Sequence, residues 1–165
     1  MWNSIISTSN EIQNKDIKKI INGQNSSIII KKFYEKENCD KIIQKISNTN
    51  IENDSKKFNH IGPFLMNYTT RKEKYFQNAK KANIIFKKIF SNVENPVNKI
   101  KLTMSKSFPN YKISETKENE LDYASCNIRR HVKGKSVPLH KDNVKYEGIE
   151  YKISKINNQL SCILH

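Results

Sequence analysis

A histidine and an aspartate two residues apart are the residues of this sequence best suited to holding a metal ion. They are His140 and Asp142, in the segment PLHKDN. On an extended backbone, side chains two residues apart point to the same side, so the imidazole and the carboxylate can converge on one ion. An isolated pair of this spacing also arises by chance in a chain with this many histidine and acidic residues. The pair alone therefore marks a candidate site and no more.

The chemistry of the two ligands favours iron. A neutral imidazole and a hard carboxylate, completed by a second and distant histidine, form the facial triad of non-haem iron(II) oxygenases. That ligand set leaves coordination positions open for a co-substrate and oxygen. Of the other histidines, His131 and His165 lie in predicted strands, whereas His60 is interpreted as part of a surface loop.

The elements around the pair are predicted from a change of period. Residues 124–132 alternate between mostly apolar and polar side chains, which is the pattern of a strand with one buried face. Gly134 predicts a turn, residues 137–139 a brief strand, and residues 160–164 a further alternating strand. The candidate ligands thus follow a strand–turn–strand unit.

Two segments of this region, CNIRRHVKGKSVPLHKDN (126–143) and NNQLSCILH (157–165), resemble iron(II)- and 2-oxoglutarate-dependent oxygenases, prolyl hydroxylases included. The similarity is greatest to the branch that contains the cyanobacterial indole-alkaloid halogenases and related hydroxylases. The similar residues occur in the same order along the chain: Ile128-Arg129, Gly134, His140, Asn143 and Gln159-Leu160-Ser161. The strand near Ile28, the IGPF segment and two predicted helices are similar more loosely.

The resemblance implies a site and its cofactors. His140 and Asp142 would hold iron(II), with 2-oxoglutarate and O2 as co-substrates. His131 and His165 match positions where relatives place polar or aromatic groups near 2-oxoglutarate, although a hydrogen-bonded strand histidine is the preferred interpretation of each. The halogenases of this branch have glycine at the position of Asp142, and chloride takes the vacated place on the iron. The carboxylate of Asp142 therefore predicts hydroxylation of a small-molecule substrate.

The resemblance also implies residues that would follow His165. The family requires a second histidine ligand on a late strand and a basic residue, usually arginine, for the far carboxylate of 2-oxoglutarate. We therefore expect the 165 residues to be the N-terminal part of a hydroxylase-type dioxygenase, truncated at the C-terminus. Alone, they should be inactive or nearly so.

Two long helices are predicted ahead of the strands. A stripe of aromatic and apolar side chains over 71–90 predicts the first, with Thr70 and Glu73 at capping-box spacing. Pro96, which directly follows Asn95, predicts the start of the second helix, over 96–108. Helices followed by strands predict an α+β fold, with the helices packed on a partial double-stranded β-helix, or jelly-roll, sheet.

The shorter elements set the predicted domain limits. Residues 28–30 predict a strand and residues 42–46 one face of a helix, whereas 48–59 is rich in asparagine and predicts a loop. Residues 1–25 are predicted to form a loosely attached N-terminal arm, and residues 26–165 the N-terminal part of the oxygenase domain.

The charge and the cysteines indicate the environment. The formal net charge is +14, but only three of the 30 basic residues are arginine and the lysines are spread along the whole chain. This pattern favours compositional drift over a selected binding face, while it still predicts non-specific binding to polyanions. Three cysteines without a CxxC pair, no apolar run of membrane length and no signal-like start predict a cytoplasmic protein with no membrane contact.

Two alternatives to an oxygenase are left open. One is a small basic protein that binds nucleic acid, which should place basic and aromatic residues on one face. The other is a non-catalytic remnant kept as an interaction surface. The aromatic residues over 71–90 have the spacing of a helix core, which favours the oxygenase over the binding module.

Overall fold

A computed structural model describes residues 3–8, 11–49, 52–54, 58–131, 133, 142–156 and 159–164. The chain divides into two compact units, the first of residues 1–42, 92–114 and 162–165 and the second of residues 43–91 and 115–161. Helices and short strands both occur, so the mixed character of the predicted fold is confirmed. Within the described residues, no helix has the length and apolar character needed to cross a membrane.

The first unit contains a parallel pair of strands. β1 (Ser4–Ser7) pairs with β2 (Ser27–Ile30), and Ser4 lies opposite Ser27. Parallel strands need a crossover connection, and here α1 (Asn14–Ile21) provides it and buries Ile17. The predicted strand around 28–30 is confirmed.

The predicted start of the second long helix is also confirmed. α4 (Pro96–Ser107) begins behind Asn95, whose Oδ1 accepts hydrogen bonds from the backbone N–H groups of Val97 and Asn98 at 2.9 and 3.3 Å. The spacing of its apolar residues predicts an inward face made of Val97, Ile100, Met104 and Phe108. These four residues are half-buried, whereas Pro96, Thr103 and Ser107 are buried. Hydrogen bonds account for the burial of Ser107. Its hydroxyl donates to the carbonyl of Ile12, and its carbonyl accepts from Asn14 Nδ2 at 3.3 Å.

The helix α2 (Lys36–Ser47) contains the boundary between the units. Asn38 and Asp40 are residue types that favour a helix N-cap, but the helix begins before both of them. The Asp40 carboxylate instead accepts from Lys36 Nζ at 2.6 Å. Ile42 is buried, but Ile43 is 60% exposed, so the two neighbours do not share one buried face as the sequence suggested.

The second unit contains a three-stranded antiparallel sheet in the order β3 (Glu52–Asp54), β4 (Phe58–Ile61) and β7 (Ile128–Arg130). The predicted loop over 48–59 is therefore wrong. Polar side chains favour a loop, but the β3–β4 ladder is made by backbone groups, which any side chain leaves available.

The helix α3 (Lys72–Ile89) forms the core of the second unit. It buries the stripe predicted from its spacing: Tyr75, Phe76, Ala79, Ala82, Phe86 and Ile89. The Phe76 ring packs on Tyr123 at 5.1 Å between centroids, and the Tyr75 ring packs on Tyr151 at 5.5 Å. The predicted capping box is wrong, because Arg71 occupies the N-cap and no side chain caps the helix there.

A buried carboxylate lies beside this core. β5 (Lys117–Glu118) and β6 (Leu121–Asp122) form a hairpin that places Glu118 almost wholly inside the unit. Its carboxylate forms an ion pair with Lys72 Nζ and accepts from the Tyr123 hydroxyl at 2.5 Å and the Lys152 backbone N–H at 3.1 Å. These partners offset the cost of burying a charge.

The predicted strands near the metal-ligand pair are shorter than expected. Of the predicted strand over 124–132, the described residues 124–131 form a strand only at 128–130, and residues 159–164 form none. Alternation predicts which side a residue faces, whereas a ladder also needs a neighbouring strand. In the part of the chain that the structure describes, the strands form three small sheets that do not close into a barrel, so the jelly roll stays a prediction.

Candidate metal centre

The start of a short helix fixes the backbone beside Asp142. α5 (Val144–Glu147) follows Asn143, whose carbonyl accepts from the N–H groups of Tyr146 and Glu147, both at 3.0 Å. The Asn143 side chain itself makes no capping hydrogen bond there. Asp142 lies just outside the helix and is exposed.

Two side-chain hydrogen bonds connect this segment to residues 159–161. Gln159 Oε1 accepts from the backbone N–H of Val144 at 3.0 Å, and Ser161 Oγ donates to Asp142 Oδ2 at 3.2 Å. Gln159 and Ser161 are two residues apart, so on an extended backbone their side chains point the same way. The structure thereby connects Asp142 of the H-x-D pair to the Gln159-Leu160-Ser161 run, and both contribute to the family resemblance.

Of the other three predicted site residues, the structure describes only His131. His140 and His165 lie outside the described residues. His131 directly follows β7 and is exposed. Among the residues that the structure does describe, no group of three or more histidine, cysteine or acidic side chains could hold a metal ion. Asp142 is nevertheless suited to be one ligand, because an exposed carboxylate is a hard oxygen donor of the kind that iron(II) binds with imidazole.

The histidine that sequence interpretation assigned to a surface loop is buried. His60 lies in β4 opposite Arg129, with only 6% of its surface exposed. Its ring lies 4.6 Å from the Phe64 ring, and the Arg129 guanidinium lies 4.4 Å above that ring. The loop assignment is wrong because the residues that cover His60 come partly from β7, far along the chain, where no local pattern reveals them.

The space beside His60 is too small for an organic co-substrate. A cavity of about 30 Å³ is bounded there by residues of β4, the turn after it and α3, which is room for about one water molecule. The nearby thiol of Cys126 is also unsuited to chemistry, because burial raises its pKa to about 12. A thiol that stays protonated is neither a nucleophile nor a metal ligand.

A comparison with protein families decides the class of the chain. A sequence model of the carrier-protein-independent halogenase WelO5 matches residues 4–164, which is almost the whole sequence. The chain belongs to the WelO5 halogenase family. No curated protein and no solved structure matches it.

Membership of the WelO5 family confirms the resemblance found in the sequence. The family consists of oxygenase-type enzymes that depend on iron(II) and 2-oxoglutarate. The match also extends well ahead of the metal-ligand motif, over β1, α1 and α3.

Proposed function

We propose that this member of the WelO5 family is a hydroxylase-type dioxygenase that acts on a small molecule. The observation that carries the proposal is the carboxylate of Asp142. It stands where the resemblance implies glycine in the halogenases, two residues after a histidine. An acidic residue there gives the two-histidine, one-carboxylate type of site, whereas glycine leaves a position for a halide.

The roles of the residues follow from their chemistry. His140 and Asp142 would hold the iron. With 2-oxoglutarate and O2, the iron would supply the chemistry that oxidises a C–H bond. The Asp142 carboxylate would exclude chloride by occupying its position and by its negative charge. His131 and His165 are proposed to lie near 2-oxoglutarate.

The hydrogen bond from Ser161 supports this role of Asp142. A hydroxyl that donates to Oδ2 at 3.2 Å limits rotation of the carboxylate without neutralising its charge. An oriented, charged carboxylate is what a metal ligand requires, and such outer partners commonly fix ligand orientation. We therefore assign Ser161 as a positioning residue for the candidate ligand.

The test is the identity of the product in the presence of chloride. Because the 165 residues alone are expected to be inactive or nearly so, they are assayed after fusion to a C-terminal family segment that carries the second histidine ligand and the 2-oxoglutarate-binding arginine. This protein is supplied with iron(II), 2-oxoglutarate, O2 and chloride, over a panel of small amines, amino acids and alkaloids. We expect succinate and a hydroxylated product, strongly reduced in Asp142→Gly and retained in the control Asp122→Asn, which changes an exposed aspartate of the β6 hairpin. A chlorinated product from the unaltered protein would refute the hydroxylase assignment. Folded protein without any 2-oxoglutarate turnover would favour the non-catalytic remnant.

A further inference from the structure

The solvent face of α3 is predominantly positive. Its exposed lysines, named here the lysine stripe, are Lys74, Lys80, Lys81, Lys87 and Lys88. Residues seven apart on a helix lie nearly above one another, so the stripe runs along the helix as two adjacent rows. From Lys74 to Lys88 it spans about 21 Å at the helical rise of about 1.5 Å per residue. Glu73, at one end, is the only acidic residue of the helix.

The stripe has no acidic partner in the part of the chain that the structure describes. Within the described residues, none of its five ammonium groups forms an ion pair or a hydrogen bond. On α2, by contrast, Lys36 pairs with Asp40 and Lys41 pairs with Glu37, both at 2.6 Å. The positive charge of the stripe is therefore not neutralised by an ion pair within the described residues, which leaves it available to an external anion.

The chemistry of the stripe limits its partner. All aromatic side chains of α3 are buried on the opposite face, so none is available to stack on an unpaired base. Ile84, 50% exposed, is the single apolar residue between the lysines, which is too little to enter a membrane surface. Arginine, the usual reader of guanine edges, is absent from the stripe.

We propose that the lysine stripe of α3 binds the phosphates of double-stranded nucleic acid without regard to base sequence. Lysine acts as a point charge toward phosphate and needs no base contact. A duplex offers closely spaced, rigidly held phosphates along a length comparable to the stripe, and it requires no aromatic stacking. The inference does not rest on the proposed oxygenase activity.

The salt dependence of binding gives a quantitative expectation. Each phosphate neutralised contributes about −0.9 to the slope of log K against log salt concentration, so five lysines predict a slope of about −4.5. Affinity should then fall about 500-fold between about 50 and 200 mM salt. Removal of three of the five charges should reduce the slope to about −2.

The experiment compares two triple variants with the same net charge. One changes the stripe, Lys74→Gln, Lys81→Gln and Lys88→Gln. The control changes three exposed lysines elsewhere, Lys15→Gln, Lys31→Gln and Lys112→Gln. Each lowers the formal net charge of +14 by three, and glutamine preserves helix propensity. Binding of a fluorescent mixed-sequence DNA duplex is measured by anisotropy over a salt series, with circular dichroism to verify folding.

The expected result is a slope near −4.5 for the unaltered and control proteins and near −2 for the stripe variant. Equal losses in the two variants would overturn the proposal, because net charge alone would then explain binding. Tighter binding of a single strand than of the duplex, or stripe-dependent binding to phosphatidylserine vesicles without duplex binding, would overturn it as well.

Discussion

The core around α3 and the segment that carries Asp142 are stabilised in different ways. The α3 core packs several aromatic rings against one another and pairs a buried carboxylate with a lysine. Asp142 and residues 159–164 are exposed, and hydrogen bonds of the Gln159 and Ser161 side chains connect this run to Val144 and Asp142. Stability should therefore depend on the first region, whereas changes in the second should alter the proposed chemistry with little effect on folding.

The largest expected difference between the regions is the effect of removing an apolar side chain. Phe86 is 2% exposed and stacks with Phe90 at 6.1 Å. Phe86→Ala should lower the free energy of unfolding by about 3–5 kcal/mol, because it removes buried surface and leaves a cavity. Leu160→Ala, at a residue 43% exposed, should cost less than about 1 kcal/mol. Urea denaturation measures both, and similar losses would contradict the distinction.

The two ion pairs of the β5–β6 hairpin provide a second contrast. Lys72→Ala leaves the buried Glu118 charge without its cation and should cost about 2–3 kcal/mol, less than for a fully buried pair because Lys72 is partly exposed. Lys117→Ala breaks the exposed pair with Asp122 and should cost less than about 1 kcal/mol. Denaturation midpoints of the two variants give the comparison. A larger loss of unfolding free energy in Lys117→Ala than in Lys72→Ala would show that burial does not determine how much an ion pair stabilises the protein.

The tyrosines of the core predict sensitivity to alkali. Burial raises the pKa of Tyr123 and of Tyr151 to about 12, above the usual value of about 10. Because the folded state holds these protons more tightly, the resulting stability is complete below about pH 10 and is lost as the pH rises toward about 12. Ultraviolet titration of phenolate absorbance, with Tyr151→Phe to identify one late step, measures this. Ionisation of both groups near the usual pKa would contradict it.

These differences also mark what the sequence could predict. The α3 core was predicted because a period of three to four residues is a local signal, and so was the cap at Asn95. The burial of His60 and Glu118 was not, because each is covered by residues distant in sequence. For the candidate site, the sequence indicated Asp142 as a ligand but not the hydrogen bond from Ser161, which requires a turn that brings the two segments together.

The smallest expected effect on stability lies at that hydrogen bond. Ser161→Ala removes one exposed donor to Asp142 and should lower the free energy of unfolding by less than about 1 kcal/mol. Metal affinity should fall by about tenfold, because the carboxylate loses its orientation. Parallel denaturation and metal titration measure the two effects. Threonine at 161, which keeps a hydroxyl, should restore much of the affinity.

The most direct test of the central claim, that Asp142 is an iron ligand, is metal binding by the fusion protein that supplies the second histidine ligand, unaltered or with Asp142→Asn. Manganese(II), which does not react with oxygen here, serves as the probe, and electron paramagnetic resonance reports the bound fraction. We predict binding that is reduced at least about tenfold in Asp142→Asn and unchanged in Asp122→Asn, with folding intact in both. Equal binding by all three proteins would contradict the assignment of Asp142 and, with it, the hydroxylase proposal.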